Sequence, residues 1–174
     1  MDESESGCWT NHHSIIEFKK QWYLFYHNKD YSPRFDKARS IRLDSLSFNG
    51  DGTIKKVIPT FRGAGLTKAS QPIQIDRYTQ LSQSGVAIDF MDTLDRFKGW
   101  KTIFTSAGAW AQYNSVDFGK KAFKNIVINA QSEEGGVLQI RVSGINGPVL
   151  AEVKIPAANN WLITKKALIK FQPG

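Results

Sequence analysis

The chain has 174 residues, enough for one full domain or for one domain with part of another. Its composition (41% hydrophobic, 22% charged, 12% aromatic) excludes a disordered chain and points to a soluble, folded protein. The net charge of +7 comes from Lys and Arg scattered along the sequence, with no zinc-ligand spacing, helix-turn-helix pattern or RNA-binding aromatic signature, which argues against nucleic acid and for a solvated basic surface. No run of about 18 apolar residues exists, so no helical membrane span is expected. One cysteine, Cys8, allows no internal disulfide. The acidic, polar start Asp2–Ser6 is the opposite of a signal peptide, so either the protein stays inside or an export signal lies further upstream.

Nearly every periodic segment repeats every two residues, the signature of strands. Ser14–Phe18 and Trp22–Tyr26 read as short strands joined by a polar Lys19–Gln21 turn. A loop follows from Asn28 to Lys37, and then Ser40–Leu46 alternates as a third strand ending at Phe48. Asn49-Gly50-Asp51-Gly52 is a strong tight-turn signal, because glycine tolerates positive φ, and Thr53–Ile58 is expected to return as a fourth strand. Four antiparallel strands in about fifty residues is the size of one propeller blade. Two aromatic-rich strand patterns directly after the start suggest the last part of a larger domain.

Residues 59–71 lack a period and read as a linker. Ile73–Tyr78 opens a second unit, and Gly85-Val86 marks a bend. Strands are expected at Ala111–Phe118, Asn125–Ala130, Val137–Val142 and Val149–Ile155, with one or two more between Leu162 and Phe171. Ser143–Pro148 supplies a turn. Short strands separated by Gly and Asn turns predict a β-sandwich, and no segment shows helical capping with a 3.6-residue period. The fold class is therefore all-β.

Two stretches carry resemblances. Asn11-His12-His13-Ser14-Ile15, Trp22–His27, Arg39-Ser40 and Asn49–Ile54 resemble the closing blade of glycoside hydrolase family 43, five-bladed propellers acting on xylan and arabinan side chains. Ile73–Tyr78, Tyr113–Gly119 and Asn159-Asn160-Trp161 resemble a carbohydrate-binding module of family 6, a calcium-stabilised sandwich found behind such hydrolases. Together they imply a remnant blade at 1–58, the linker at 59–71 and a sandwich at 72–174 that lacks its last strand, leaving an open edge and a marginally stable piece. The implied parent is a secreted or periplasmic β-xylosidase or α-arabinofuranosidase, and the resemblance leaves that choice open.

Glycoside hydrolysis needs two positioned carboxyl groups. The family's three catalytic acids come from earlier blades, and Glu17, Asp30, Asp36, Asp44 and Asp51 match none of them. These five read as solvent-facing charge, so the chain alone is expected to be inactive. His12 and His13 point to opposite faces of a strand and cannot chelate together. By resemblance His12 faces the propeller axis near a central metal, and Arg39 lies near the mouth of the active site; a strand histidine and an ordinary exposed arginine are the plainer readings.

In the second unit the resemblance implies a sugar held between two aromatic side chains, because sugar rings present apolar C–H faces. Trp161, in a polar Asn159-Asn160 loop, matches one of them. Phe104 stands where the family's second aromatic is usually Tyr. Trp100 is a further candidate, whereas Trp110 has a strand context and reads as core. Gln74 and Asp76 occupy the family's first calcium-ligand positions, where Glu is usual. The implied partner is xylan or arabinoxylan. The competing reading is a non-catalytic sandwich for adhesion or protein interaction, which would need an apolar surface patch.

Overall fold

The structure, a computed structural model, describes residues 12–28, 39–120 and 122–169. Among the described residues it is all-β apart from one short 3-10 turn, Arg96–Lys98. Thirteen strands follow in order: β1 (His13–Phe18), β2 (Gln21–Asn28), β3 (Ser40–Leu46), β4 (Thr67–Lys68), β5 (Gln80–Leu81), β6 (Val86–Phe90), β7 (Trp100–Phe104), β8 (Ala111–Gln112), β9 (Val116–Asp117), β10 (Asn125–Ser132), β11 (Gly136–Arg141), β12 (Val149–Ile155) and β13 (Ala158–Ala167). They gather into two compact units. The first takes the described part of Met1–Leu66 with Gln74–Ser115; the second takes Thr67–Ile73 with the described part of Val116–Gly174.

In the first unit β1, β2 and β3 form an antiparallel meander. The turn between β1 and β2 is tight, with Lys19 at φ 51° and Lys20 at φ 63°. That is the left-handed pair which matches strand twist in a two-residue hairpin, here made without glycine. Leu24, Tyr26 and Leu46 form the buried core, with Trp22 and Val57 packed against it. Most of the expected loop that begins at Asn28, with Asp30 and Asp36, lies outside the described residues.

Two expectations for this sheet fail. The fourth strand, Thr53–Ile58, is reduced to a single bridge between Phe48 and Ile54. The Asn49–Gly52 turn itself forms, closed by Asn49 N–H to the Thr53 carbonyl (2.7 Å) and by Thr53 N–H to the Asp51 carboxylate (3.0 Å). Beyond Lys55 the chain leaves the sheet, because Val57 turns onto the core and Pro59 has no N–H to pair. The second failure is Asp44, which is not solvent-facing but 4% exposed. In β3 the inward face is Arg42, Asp44 and Leu46, while Ile41 on the other face is 84% exposed. Glu17 and Asp51 are exposed as expected.

The rest of the first unit holds the antiparallel pairs β5–β8 and β6–β7. The long strand expected over Ala111–Phe118 is broken into β8 and β9, interrupted at Ser115, whose φ is 55°. In the second unit β4 pairs in parallel with β9, and two antiparallel ribbons, β10–β13 and β11–β12, share one core. Ile126 and Ile128 of β10, Leu138 and Ile140 of β11 and Leu168 pack on Ala151, Val153 and Ile155 of β12, with Val153 fully buried. Strict alternation of half-buried and exposed residues along β10 follows from the two-residue period.

Candidate functional site

Trp161 does not lie in a loop; it lies within β13, at a bulge. Ala130 pairs with Leu162 and Ser132 with Ala158, so Gln131 alone stands opposite Asn159, Asn160 and Trp161. Extra residues of this kind break the ladder locally and re-aim side chains. The Gln131 side-chain amide donates to the Asn159 carbonyl at 3.0 Å and pins the bulge. Trp161 is left 39% exposed beside two exposed asparagines. A flat indole with amides at its rim is what a sugar ring requires.

Phe104 ends β7 and is 44% exposed. Trp100 begins the same strand, half-buried, its ring stacked on Phe90 at 4.1 Å and 26°. Trp110 is half-buried, with its backbone N–H donating to the Ser82 hydroxyl at 3.2 Å. Phe104 and Trp100 belong to the first unit and Trp161 to the second.

Gln74 is exposed and Asp76 half-buried, in the turn that precedes β5. Burial pushes the Tyr113 phenol above its ordinary value, and the Asp76 carboxylate and Tyr78 phenol add to that rise. The Tyr113 hydroxyl donates to the Ile75 carbonyl at 2.9 Å. Ca²⁺ takes six to eight oxygens, several from carboxylates. Asp76 is one carboxylate, and no cluster of three or more metal-binding side chains occurs among the described residues.

His12 meets a residue that sequence reasoning passed over, His27. Extending the β1–β2 register one step past His13↔Tyr26 sets His12 opposite His27. The His12 N–H donates to His27 Nε2 at 3.1 Å, and the two rings lie 5.9 Å apart. Nε2 is thus the acceptor nitrogen, which places the proton of the neutral ring on Nδ1, buried without a partner among the described residues. Burial first, then the charges of Arg39 and His12, hold the His27 imidazole below its ordinary value.

Asp44 is the other residue whose role was missed. Its carboxylate accepts from the Tyr26 hydroxyl at 2.6 Å, from Thr60 N–H at 3.1 Å and from the Thr60 hydroxyl at 2.5 Å. Neighbouring Arg42 lies over the Phe61 ring at 4.4 Å, and Phe61 stacks on Tyr78 at 4.9 Å. Arg77 donates to the carbonyls of Arg62 (2.9 Å) and Ala64 (3.3 Å), while Arg62 reaches the Asn114 carbonyl at 3.1 Å. Residues 60–65 are therefore strapped at one end to β3 and at the other to the segment opening Gln74–Ser115. An open hollow of about 360 Å³ beside the strap is lined by Asp44, Ser45, Lys55, Thr60 and Arg62 among others. With both Asp44 oxygens accepting hydrogen bonds, this hollow presents hydroxyls and cations rather than a free carboxylate.

The chain is 26% identical over 153 residues to an arabinoxylan arabinofuranohydrolase of Paenibacillus polymyxa, covering 84% of this chain and 24% of that protein. It is 43% identical over 49 residues to a β-xylosidase of Xylanibacter ruminicola, covering 28% of this chain and 15% of that protein. Among solved structures, a glycoside hydrolase family 43 arabinoxylan arabinofuranohydrolase from Bacillus subtilis, in complex with cellotetraose, aligns with a TM-score of 0.62 at 20% identity. That alignment covers 95% of this chain and 36% of the larger one, and it shows a shared all-β fold. The chain thus spans about a quarter of the length of the first relative and about a third of the solved structure. The family Carbohydrate binding module (family 6) matches residues 79–166, half of the chain, from just before β5 to within one residue of the end of β13. That span includes Trp100, Phe104 and Trp161, and by it the chain belongs to carbohydrate-binding module family 6.

Proposed function

We propose that this chain binds hemicellulose, of the xylan or arabinoxylan class, as part of a larger glycoside hydrolase of family 43. The observation that carries this reading is the pinned bulge in β13, which leaves Trp161 exposed next in sequence to Asn159 and Asn160 inside the family-matched span. Trp161 of the second unit and Phe104 of the first each offer an aromatic face for stacking on a sugar, and Trp100 of the first unit is a further candidate. Residues 1–58 correspond to the closing blade of the parent's propeller, residues 59–71 connect, and residues 72–174 form the binding sandwich. The relatives named for arabinoxylan and xylosides support the substrate class. Arg39 and His12 are remnants of the parent's substrate site, in a protein that meets its polymer outside the cytoplasm.

Hydrolysis would need two free carboxyl groups facing one bond. The buried carboxylate of the N-terminal sheet, Asp44, accepts hydrogen bonds from Tyr26 and Thr60 and is not one of them, which favours binding as the reading for this chain. The test is retention on insoluble arabinoxylan. Trp161→Ala, a change at an exposed position, is expected to abolish most of it, and unchanged retention would refute the reading. The second reading, an adhesion or protein-interaction surface, is favoured by Ile163 (75% exposed) and Val127 (62% exposed) on the outer face of β10–β13. It requires capture that is indifferent to added xylo-oligosaccharides.

A further inference from the structure

The turn between β6 and β7 exposes two large apolar side chains completely, Leu94 (97%) and Phe97 (102%). Exposure on a loose loop would mean little, but this turn is tied throughout. The Asp92 carboxylate accepts from Leu94 N–H (2.8 Å) and Asp95 N–H (3.4 Å) and pairs with Lys98 Nζ (2.8 Å). Asp95 caps the 3-10 turn by accepting from Phe97 N–H at 3.2 Å. Met91 N–H to the Gly99 carbonyl (2.8 Å) closes the base. Behind the tip, the Arg96 guanidinium lies over the Phe90 ring at 5.2 Å, and Phe90 stacks on Trp100. Phe97 is thus held outward by a pre-ordered scaffold, which spares the ordering cost of binding.

The surrounding charges say what such a tip suits. From Asp89 to Lys101 the sequence carries three acids (Asp89, Asp92, Asp95) and three bases (Arg96, Lys98, Lys101). They cancel, so this turn offers little net field to attract nucleic acid or an anionic bilayer. An aromatic ring amid balanced polar groups complements an uncharged ligand with both C–H faces and hydroxyls. In the β6–β7 register Phe90 pairs with Trp100 and Val86 with Phe104, so the turn stands at the opposite end of the ribbon from Phe104. Four residues at about 3.4 Å each put roughly 14 Å between Trp100 and Phe104 along β7, with Phe97 beyond. A single bound sugar does not reach across that; a polymer does.

We propose that the 91–99 turn is a second carbohydrate contact, in which Phe97, flanked by Leu94, stacks on a neutral polysaccharide chain too long for one site. The proposal rests on the polysaccharide-binding reading above and adds to it a contact that only long ligands feel, by raising effective concentration. The test uses the full chain and the exposed-site variants Phe97→Ala and Leu94→Ser, with Trp161→Ala alongside. Retention on insoluble arabinoxylan is compared with calorimetric titration of xylotetraose. Phe97→Ala is expected to weaken retention about three- to tenfold, the scale of one aromatic stacking contact, and to leave xylotetraose affinity within about twofold. Phe97→Trp is expected to restore or raise retention. Unchanged retention in Phe97→Ala while Trp161→Ala loses it overturns the second contact and leaves the general reading intact. Unchanged retention in both overturns the two together. Co-sedimentation with phosphatidylcholine vesicles that is lost in Phe97→Ala, with arabinoxylan retention unaffected, reassigns the tip to lipid and also overturns the proposal.

Discussion

Replacing Asp44 by Ala tests the strap directly. The carboxylate is 4% exposed and accepts three hydrogen bonds, one from Tyr26 and two from Thr60. Hydrogen bonds to a charged group contribute about 1.5–3 kcal/mol each, but these three share one acceptor and do not add. The Tyr26 phenol, on a residue 8% exposed, loses its Asp44 acceptor, at a cost of about 1–3 kcal/mol. Thr60 is half-buried, so water recovers part of its loss. Together these give about 3–5 kcal/mol, a large share of the roughly 5–15 kcal/mol that holds an ordinary domain together. At about 2 kcal/mol per molar of urea, the midpoint falls by roughly 2 M. Asp44→Asn keeps one acceptor oxygen and should cost about half as much. Because Thr60 opens the strap, Asp44→Ala should also speed tryptic cleavage at Lys55, Lys56 and Arg62, relative to Tyr26→Phe, which leaves both Thr60 bonds in place. A loss below about 1 kcal/mol with no change in cleavage rate would refute the argument that this carboxylate anchors residues 60–65.

Two further outcomes follow from the first sheet. Lys19 and Lys20 hold positive φ without the residues that favour it, so Lys19→Asn with Lys20→Gly is expected to stabilise the chain by about 1 kcal/mol in urea titration; a loss of stability would show that the Lys19 contact with the Phe18 ring (5.3 Å) outweighs backbone strain. His27 is held below its ordinary value in the folded chain, so as pH falls through about 6.5 the unfolded chain takes up the proton first. The stability contributed by neutral His27 is therefore full above that pH and is lost as pH falls towards the folded value. Urea midpoints at pH 7.5 and 5.5 should differ less in His27→Gln than in the parent, and an identical difference in both would locate the pH dependence elsewhere.

Local pattern carried the reading of this chain as far as local pattern reaches. The β1–β2 hairpin, β3, β10, β11 and β12 were legible because apolar and polar residues alternate between recognisable turns. His27 was legible too, although it was overlooked: once the turn is set at Lys19-Lys20, antiparallel counting brings residue 27 opposite residue 12. Asp44 was not. A two-residue period tells which side chains share a face, but not which face turns inward. In β3 either Ile41 with Leu43 or Arg42 with Asp44 and Leu46 could have been chosen, and the apolar pair was the natural guess. The choice fell to the polar face because Tyr26, eighteen positions away, and Thr60, sixteen positions ahead, both carry donors for a buried carboxylate. The fourth strand failed for a related reason, since Val57, which would have continued the ladder, packs on the core instead. Trp161 shows the same limit at the candidate site. Its residue type and polar neighbours named it from sequence, but its exposure depends on a bulge. That bulge exists only because the β10–β13 register places one residue against three. The chemistry of the candidate site is thus written in residue types, while its presentation is written in pairings between positions about thirty residues apart.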